Sequence, residues 1–234
     1  MARKPRMFVT GLPFHVVQRG NNKNPIFFSE TDYLFFLSVL REAKLKHPCL
    51  IFAYCLMPNH FHLLIQPEAK ENISFLIKFL GSKYVRYINK VYKRSGTLWE
   101  GRFKCSIVEE EAYFLTCLRY IETNPLRAGI VNNVEEYLWS SYRCRAFGEN
   151  DGLTDLDEWY KELGLASSQR QILYRCNFNN DISDSVLEFI REMTNKGGVI
   201  GGTEFKDKLE EIIAQKIIIR KPGRPRKNNS DPVF

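Results

Sequence analysis

None of the six cysteines (Cys49, Cys55, Cys105, Cys117, Cys144 and Cys176) falls in a C-x-x-C pair or at comparably tight spacing. A disulfide framework or zinc ribbon is therefore not expected, and reduced thiols are the simpler account. A G-x-x-x-x-G-K phosphate loop is missing as well, which removes the usual signature of an ATP-driven reaction. No apolar run reaches the length of a signal core or a membrane span, so a cytoplasmic protein is expected. There is no internal repeat. Acidic residues are scarce in two stretches. None precedes Glu30, although Arg3, Lys4, Arg6, Arg19 and Lys23 do, and between Lys78 and Lys104 only Glu100 interrupts the Lys and Arg. With a formal net charge of +7 over 234 residues, the chain favours a polyanionic partner, nucleic acid before membrane. That length suits one well-filled core with a small appendage.

What is present reads as an α+β protein. Leu12 to Arg19 is a predicted strand, followed by a turn at Gly20-Asn21-Asn22. Ser29 is placed to cap a helix running to Lys46, with Tyr33, Phe36, Leu37, Leu40 and Ala43 on its apolar face. Leu50 to Leu56 has the near-continuous apolar character of a buried strand, Pro58-Asn59 makes a turn, and His60 to Gln66 returns as the hairpin partner. A second helix follows from Ile73 to Val91, then a strand from Arg102 to Val108 and a third helix from Glu109 to Asn124, closed by Pro125. The order β-α-β-β-α-β followed by α is that of a ferredoxin-like (RRM-like) sheet with an extra helix. In that topology the first and third strands are central neighbours.

The segment Met-Pro-Asn-His-Phe-His-Leu-Leu-Ile holds the densest chemistry. His60 and His62 are two apart, so in a strand they point the same way, with Cα atoms roughly 6.6 Å apart. Both rings can then reach one metal ion. Leu64 shares their face, while Phe61, Leu63 and Ile65 take the core face, which should leave the histidine face available. Two histidines in a strand often mark nothing more than a half-exposed sheet face. On the third helix Tyr120 and Asn124 lie one turn apart, offering a nucleophile and a neutral amide ligand; a buried structural hydroxyl is an equal reading of Tyr120. Tyr113 is the rival nucleophile. Two histidines with an amide leave coordination positions open. Imidazole points to zinc or a later transition metal, whereas phosphate chemistry points to Mg²⁺ or Mn²⁺. His15 reads as a packing or DNA-contact residue rather than a third ligand. Arg86, Arg102 and Lys104, interleaved with Tyr87, Trp99 and Phe103, suit a surface that stacks bases and tracks phosphates. The tail Lys221-Pro222-Gly223-Arg224-Pro225-Arg226-Lys227 resembles an AT-hook for an A·T minor groove, except that Pro222 stands where Arg usually precedes Gly; a plain basic tail is as good a reading.

These stretches together resemble the single-tyrosine HUH transposases, in particular the REP-associated tyrosine transposases of the IS200-like family. The resemblance is carried by Leu-Pro-Phe-His-Val-Val-Gln-Arg-Gly-Asn, Met-Pro-Asn-His-Phe-His-Leu-Leu, Gly-Thr-Leu-Trp-Glu-Gly-Arg-Phe-Lys, Cys-Leu-Arg-Tyr-Ile-Glu-Thr-Asn-Pro-Leu-Arg-Ala-Gly and Trp-Ser-Ser-Tyr, covering roughly residues 6 to 145. It implies His60, His62 and Asn124 as ligands of a divalent metal, Mg²⁺ or Mn²⁺, and Tyr120 as nucleophile. The implied activity is cutting and rejoining single-stranded DNA beside an imperfect hairpin through a 5′-phosphotyrosine. Arg19, Arg86, Arg102, Lys104, Arg224 and Arg226 are the expected DNA contacts. The expected organisation is a nuclease domain over 1–147, a small helical accessory region over 148–219 and a basic tail over 220–234, acting as a monomer or homodimer. A non-catalytic hairpin-binding protein on the same fold is the alternative. A replication initiator, usually with paired tyrosines and a helicase domain, and a structural zinc site rank lower.

Overall fold

The computed structural model describes residues 8–178 and 182–217. Strand β1 (Phe14–Arg19) leads through a short 3-10 turn into helix α1 (Glu30–Lys46). Strands β2 (Cys49–Met57) and β3 (His60–Pro67) form a hairpin closed by Pro58-Asn59, and helix α2 (Asn72–Val91) precedes β4 (Lys104–Val108). Helix α3 (Glu110–Glu122) is followed by the single turn α4 (Asn124–Arg127), then by α5 (Tyr142–Phe147), α6 (Glu158–Glu162), α7 (Ser167–Phe178), α8 (Asp184–Lys196), a two-residue β5 (Val199–Ile200) and α9 (Thr203–Ile212).

The sheet order is β2-β3-β1-β4-β5, so β3 and β1 are neighbours, as the ferredoxin-like reading requires. The fifth strand is an addition: it pairs parallel to β4, Ile107 with Val199 and Val108 with Ile200. Both faces of the sheet are buried. On one, Phe14, Val16, Phe61, Leu63 and Ile65 pack with Leu37 and Leu40 of α1 and Ile77 and Leu80 of α2. On the other, Ala53, Cys55 and Leu64 pack with Phe114, Cys117 and Ile121 of α3 and Leu187 and Ile190 of α8. The histidine face is thus roofed rather than available, because leaving Leu64, Ala53 and Val108 in water would forfeit their burial energy.

Helix α1 starts with a capping box, Ser29 and Asp32 satisfying each other's backbone N–H groups. Asp32 does more than cap. Its carboxylate is fully buried and accepts from the backbone of Phe28 (2.8 Å) and Ser29 (3.0 Å) and from the hydroxyls of Tyr87 (2.9 Å) and Tyr92 (2.8 Å). Asp32→Ala strands these donors, and a loss of about 2–4 kcal/mol is expected, measurable as a lowered urea midpoint at unchanged m-value.

A second polar knot ties the end of α3 to the later helices. Arg145, fully buried, donates to Asp157 Oδ2 at 2.7 Å and to the Phe52 carbonyl at 2.6 Å, with Glu122 Oε1 at 3.7 Å. Glu122 also accepts from the hydroxyls of Ser141 and Tyr174, each at 2.5 Å. Phe52 offers its carbonyl here because the β2–β3 register shifts between Ile51 and Ala53, as a bulge does.

Candidate active site

Register fixes who meets whom. In the β1–β3 pair, Arg19 lies opposite His60, Val17 opposite His62 and His15 opposite Leu64, which puts His15, Arg19, His60 and His62 on one face. Helix α3 crosses that face and lowers Tyr120 onto it, its ring centroid 6.0 Å from that of His62 and 5.7 Å from that of His15. His60 and His62 have ring centroids 4.8 Å apart. Asn124 reaches the same place, its Nδ2 donating to His62 Nε2 at 3.0 Å. It does so from the first position of α4 rather than from α3. Pro125 lacks an N–H and its ring would clash with the carbonyl of Ile121, so α3 stops at Glu122 and a new turn begins with proline near its start.

A cavity of about 200 Å³ opens over this cluster, lined among others by His15, Arg19, His62, Tyr120, Arg191 and Thr194. Arg102 and Lys104 also line it, as does Glu100. The histidines are neutral at ordinary pH: burial, with Arg19 nearby, lowers His60 to about 4, and burial lowers His62 well below the usual range. The Tyr120 phenol is raised by burial, while the guanidinium groups of Arg127 and Arg191 act in the opposite direction. Arg127 lies over the Tyr120 ring, 4.5 Å from its centroid, and donates to the Tyr120 carbonyl at 2.6 Å.

The donor set fits a divalent cation. His60 Nδ1 lies 2.6 Å from Asn59 Oδ1 and His62 Nδ1 lies 2.8 Å from His15 Nε2, so each ring can keep its proton on Nδ1 and carry its lone pair on Nε2, which in His62 receives the Asn124 amide. The amide of Asn124 carries an acceptor as well as a donor. Among the described residues no three or more His, Cys, Asp or Glu side chains are arranged to share a metal. No helix among the described residues is long and apolar enough to cross a membrane.

The expected DNA contacts divide. Arg19, Arg102 and Lys104 line the cavity; Arg86 is on the exposed side of α2, across the sheet from it. Arg224 and Arg226 lie outside the described residues. The aromatic residues expected to stack bases pack against the core instead, Tyr87 and Trp99 only partly buried there. Phe103 is buried in the α1–α2 core, Trp99 packs against Phe61 with centroids 6.0 Å apart, and Tyr87 stacks on Phe35 at 3.9 Å. Their apolar area is worth more in the core than in water. Tyr113 packs against Phe189, off the cavity. Sequence reading missed Arg127, Arg191 and Thr194. Arg127 sat in plain view in Asn-Pro-Leu-Arg, whereas nothing local marks the two α8 residues.

The family profile for IS200-like transposases matches residues 8–124, from the segment before β1 to Asn124 itself. The chain belongs to the IS200-like transposase family. A Haemophilus influenzae protein named as a REP-associated tyrosine transposase is 30% identical over 124 residues, 48% of this chain and 70% of that protein. Among solved structures, one of a REP-associated tyrosine transposase bound to a REP hairpin aligns with TM-score 0.55 at 18% identity, covering 68% of this chain and 94% of the other. The last comparison supports the fold. The transposase match ends at Asn124, so α8, which completes the cavity, lies beyond it.

Proposed function

We propose that this transposase-family protein nicks and rejoins single-stranded DNA beside a hairpin, through a covalent 5′-phosphotyrosine on Tyr120 and with a divalent metal. The observation that carries the reading is that Tyr120 and His62, distant in sequence, line one basic cavity, with Asn124 hydrogen-bonded to His62 beside it. His60, His62 and Asn124 would hold the cation, Mg²⁺ or Mn²⁺, which when bound withdraws charge from the phosphoryl oxygens. The Tyr120 oxygen forms the new bond to phosphorus, and the bond to the departing 3′ oxygen breaks. The phenol loses its proton as it attacks and the 3′ oxygen gains one as it leaves. Because burial raises the phenol, the positive field of Arg127 and Arg191 matters: it favours the phenolate form as the bond develops. Arg19, Arg102 and Lys104 face the phosphates. Rejoining is the reverse, a 3′-hydroxyl attacking the phosphotyrosine, which conserves the phosphodiester bond energy and needs no ATP.

The structural relative is bound to a REP hairpin, which supports a hairpin as the substrate to test first. The test is to incubate the protein with hairpin oligonucleotides carrying single-stranded flanks. An SDS-resistant adduct is expected with Mn²⁺ or Mg²⁺ and none with EDTA, while hairpin binding persists in both. Binding without an adduct under any metal would instead establish a non-catalytic hairpin-binding protein.

A further inference from the structure

Each of the two proposed histidine ligands is held from behind by a chain of hydrogen bonds ending on a backbone carbonyl. For His62 the chain is long. The Thr194 hydroxyl of α8 donates to the Ile190 carbonyl at 2.7 Å, so its oxygen must accept from His15 Nδ1, 2.9 Å away. His15 Nε2 then has only a lone pair to offer, and accepts from His62 Nδ1 at 2.8 Å. His62 Nε2 is consequently unprotonated, in agreement with its receiving the Asn124 amide. No other assignment of protons satisfies all four contacts. For His60 the chain is short: Asn59 Nδ2 donates to the Lys23 carbonyl at 3.0 Å, which leaves Asn59 Oδ1 to accept from His60 Nδ1. Gly20 permits the loop to come this close, since a Cβ there would sit 2.3 Å from the Asn24 carbonyl oxygen.

From this, resting on the metal site proposed above, we infer that His15 and Thr194 are positioning residues: they fix which nitrogen of His62 faces the cation, and so make α8 part of the metal site. His15 stands behind the site rather than in it: its nitrogens face Thr194 and the back of His62, whereas His62 Nε2 faces the amide of Asn124, itself a proposed ligand. It is fully buried and in van der Waals range of His62, with ring centroids 5.1 Å apart and nearly parallel. A ring so packed cannot turn a nitrogen toward the cavity it lines without breaking both bonds. In metal sites, loss of such an outer hydrogen bond typically lowers affinity 10–100-fold.

The full-length protein tests this in two ways. In metal-free wild type, the ¹⁵N shifts of the His62 ring should report the Nδ1–H tautomer, and Thr194→Val should leave His15 and His62 exchanging between tautomers. In calorimetric titration with Mn²⁺ alone, His15→Leu and Thr194→Val should weaken binding roughly 10–100-fold, whereas His15→Gln, whose amide can both accept and donate, should recover most of it. Thermal unfolding of each variant distinguishes a disturbed site from a disturbed fold. Wild-type Mn²⁺ binding that His15→Leu and Thr194→Val leave unchanged overturns the relay alone. A wild type that binds no Mn²⁺ overturns the metal site and the relay with it.

Discussion

Tyr120→Phe is expected to lose the SDS-resistant adduct altogether, a fall of roughly 10³-fold or more, as when a nucleophile is deleted from a site that acts as a unit. Hairpin affinity, read by gel shift in EDTA, should change less than about twofold, since the ring and its packing survive. Fold stability should hardly move: the side chain stays buried, and the Arg127 cation keeps its place over the ring. The separation of the two readouts is what identifies a nucleophile, because a structural hydroxyl would shift stability and spare the chemistry. Adduct formation surviving in Tyr120→Phe would return attention to Tyr113, whose contact with Phe189 places it elsewhere on α3.

Arg145→Leu should destabilise the protein by roughly 3–5 kcal/mol, the usual consequence of stranding a buried opposite charge. Two carboxylates lose their partner at once, Asp157 at 2.7 Å and Glu122 at 3.7 Å. Burial already raises the Glu122 carboxyl against the pull of Arg145 and the Ser141 and Tyr174 hydroxyls. With Arg145 gone the neutral acid should become the stable form. Adding Glu122→Gln ought therefore to restore part of the stability, and chemical denaturation of both variants measures it. Arg145→Leu variants as stable as wild type would refute the assignment. Glu122 sits between Tyr120 and Asn124, so this knot also anchors the hinge from α3 to α4.

Alternation of polar and apolar residues made much of the core sheet readable. His60 and His62 against Phe61, Leu63 and Ile65 set the faces of β3, and Ser29 announced α1 correctly. The resemblance to IS200-like transposases, read from five short motifs, agrees with the family match over residues 8–124. Other features had no local signature. Two residues, Val199 and Ile200, are too few for a strand pattern, yet they extend the sheet because β4 offers an open edge. Ile190 and Thr194 are one helical turn apart in a polar helix, and only the packing of α8 on β4 and β1 turns them toward His15. Tyr87, Trp99 and Phe103 misled for the opposite reason. Their basic neighbours hinted at a nucleic-acid surface, while the rings themselves were large enough to be claimed by the core.

The bond from His15 to Thr194 joins residues 179 positions apart. During synthesis both histidines of β3 and the tyrosine of α3 emerge well before Thr194 does, at the ribosome's pace of about 5–20 residues per second. For several seconds a growing polypeptide therefore displays the reactive groups with the imidazole of His62 still free to choose its tautomer. The clamp closes only when the distal helix arrives, so translation itself delays the moment at which the proposed metal site is set.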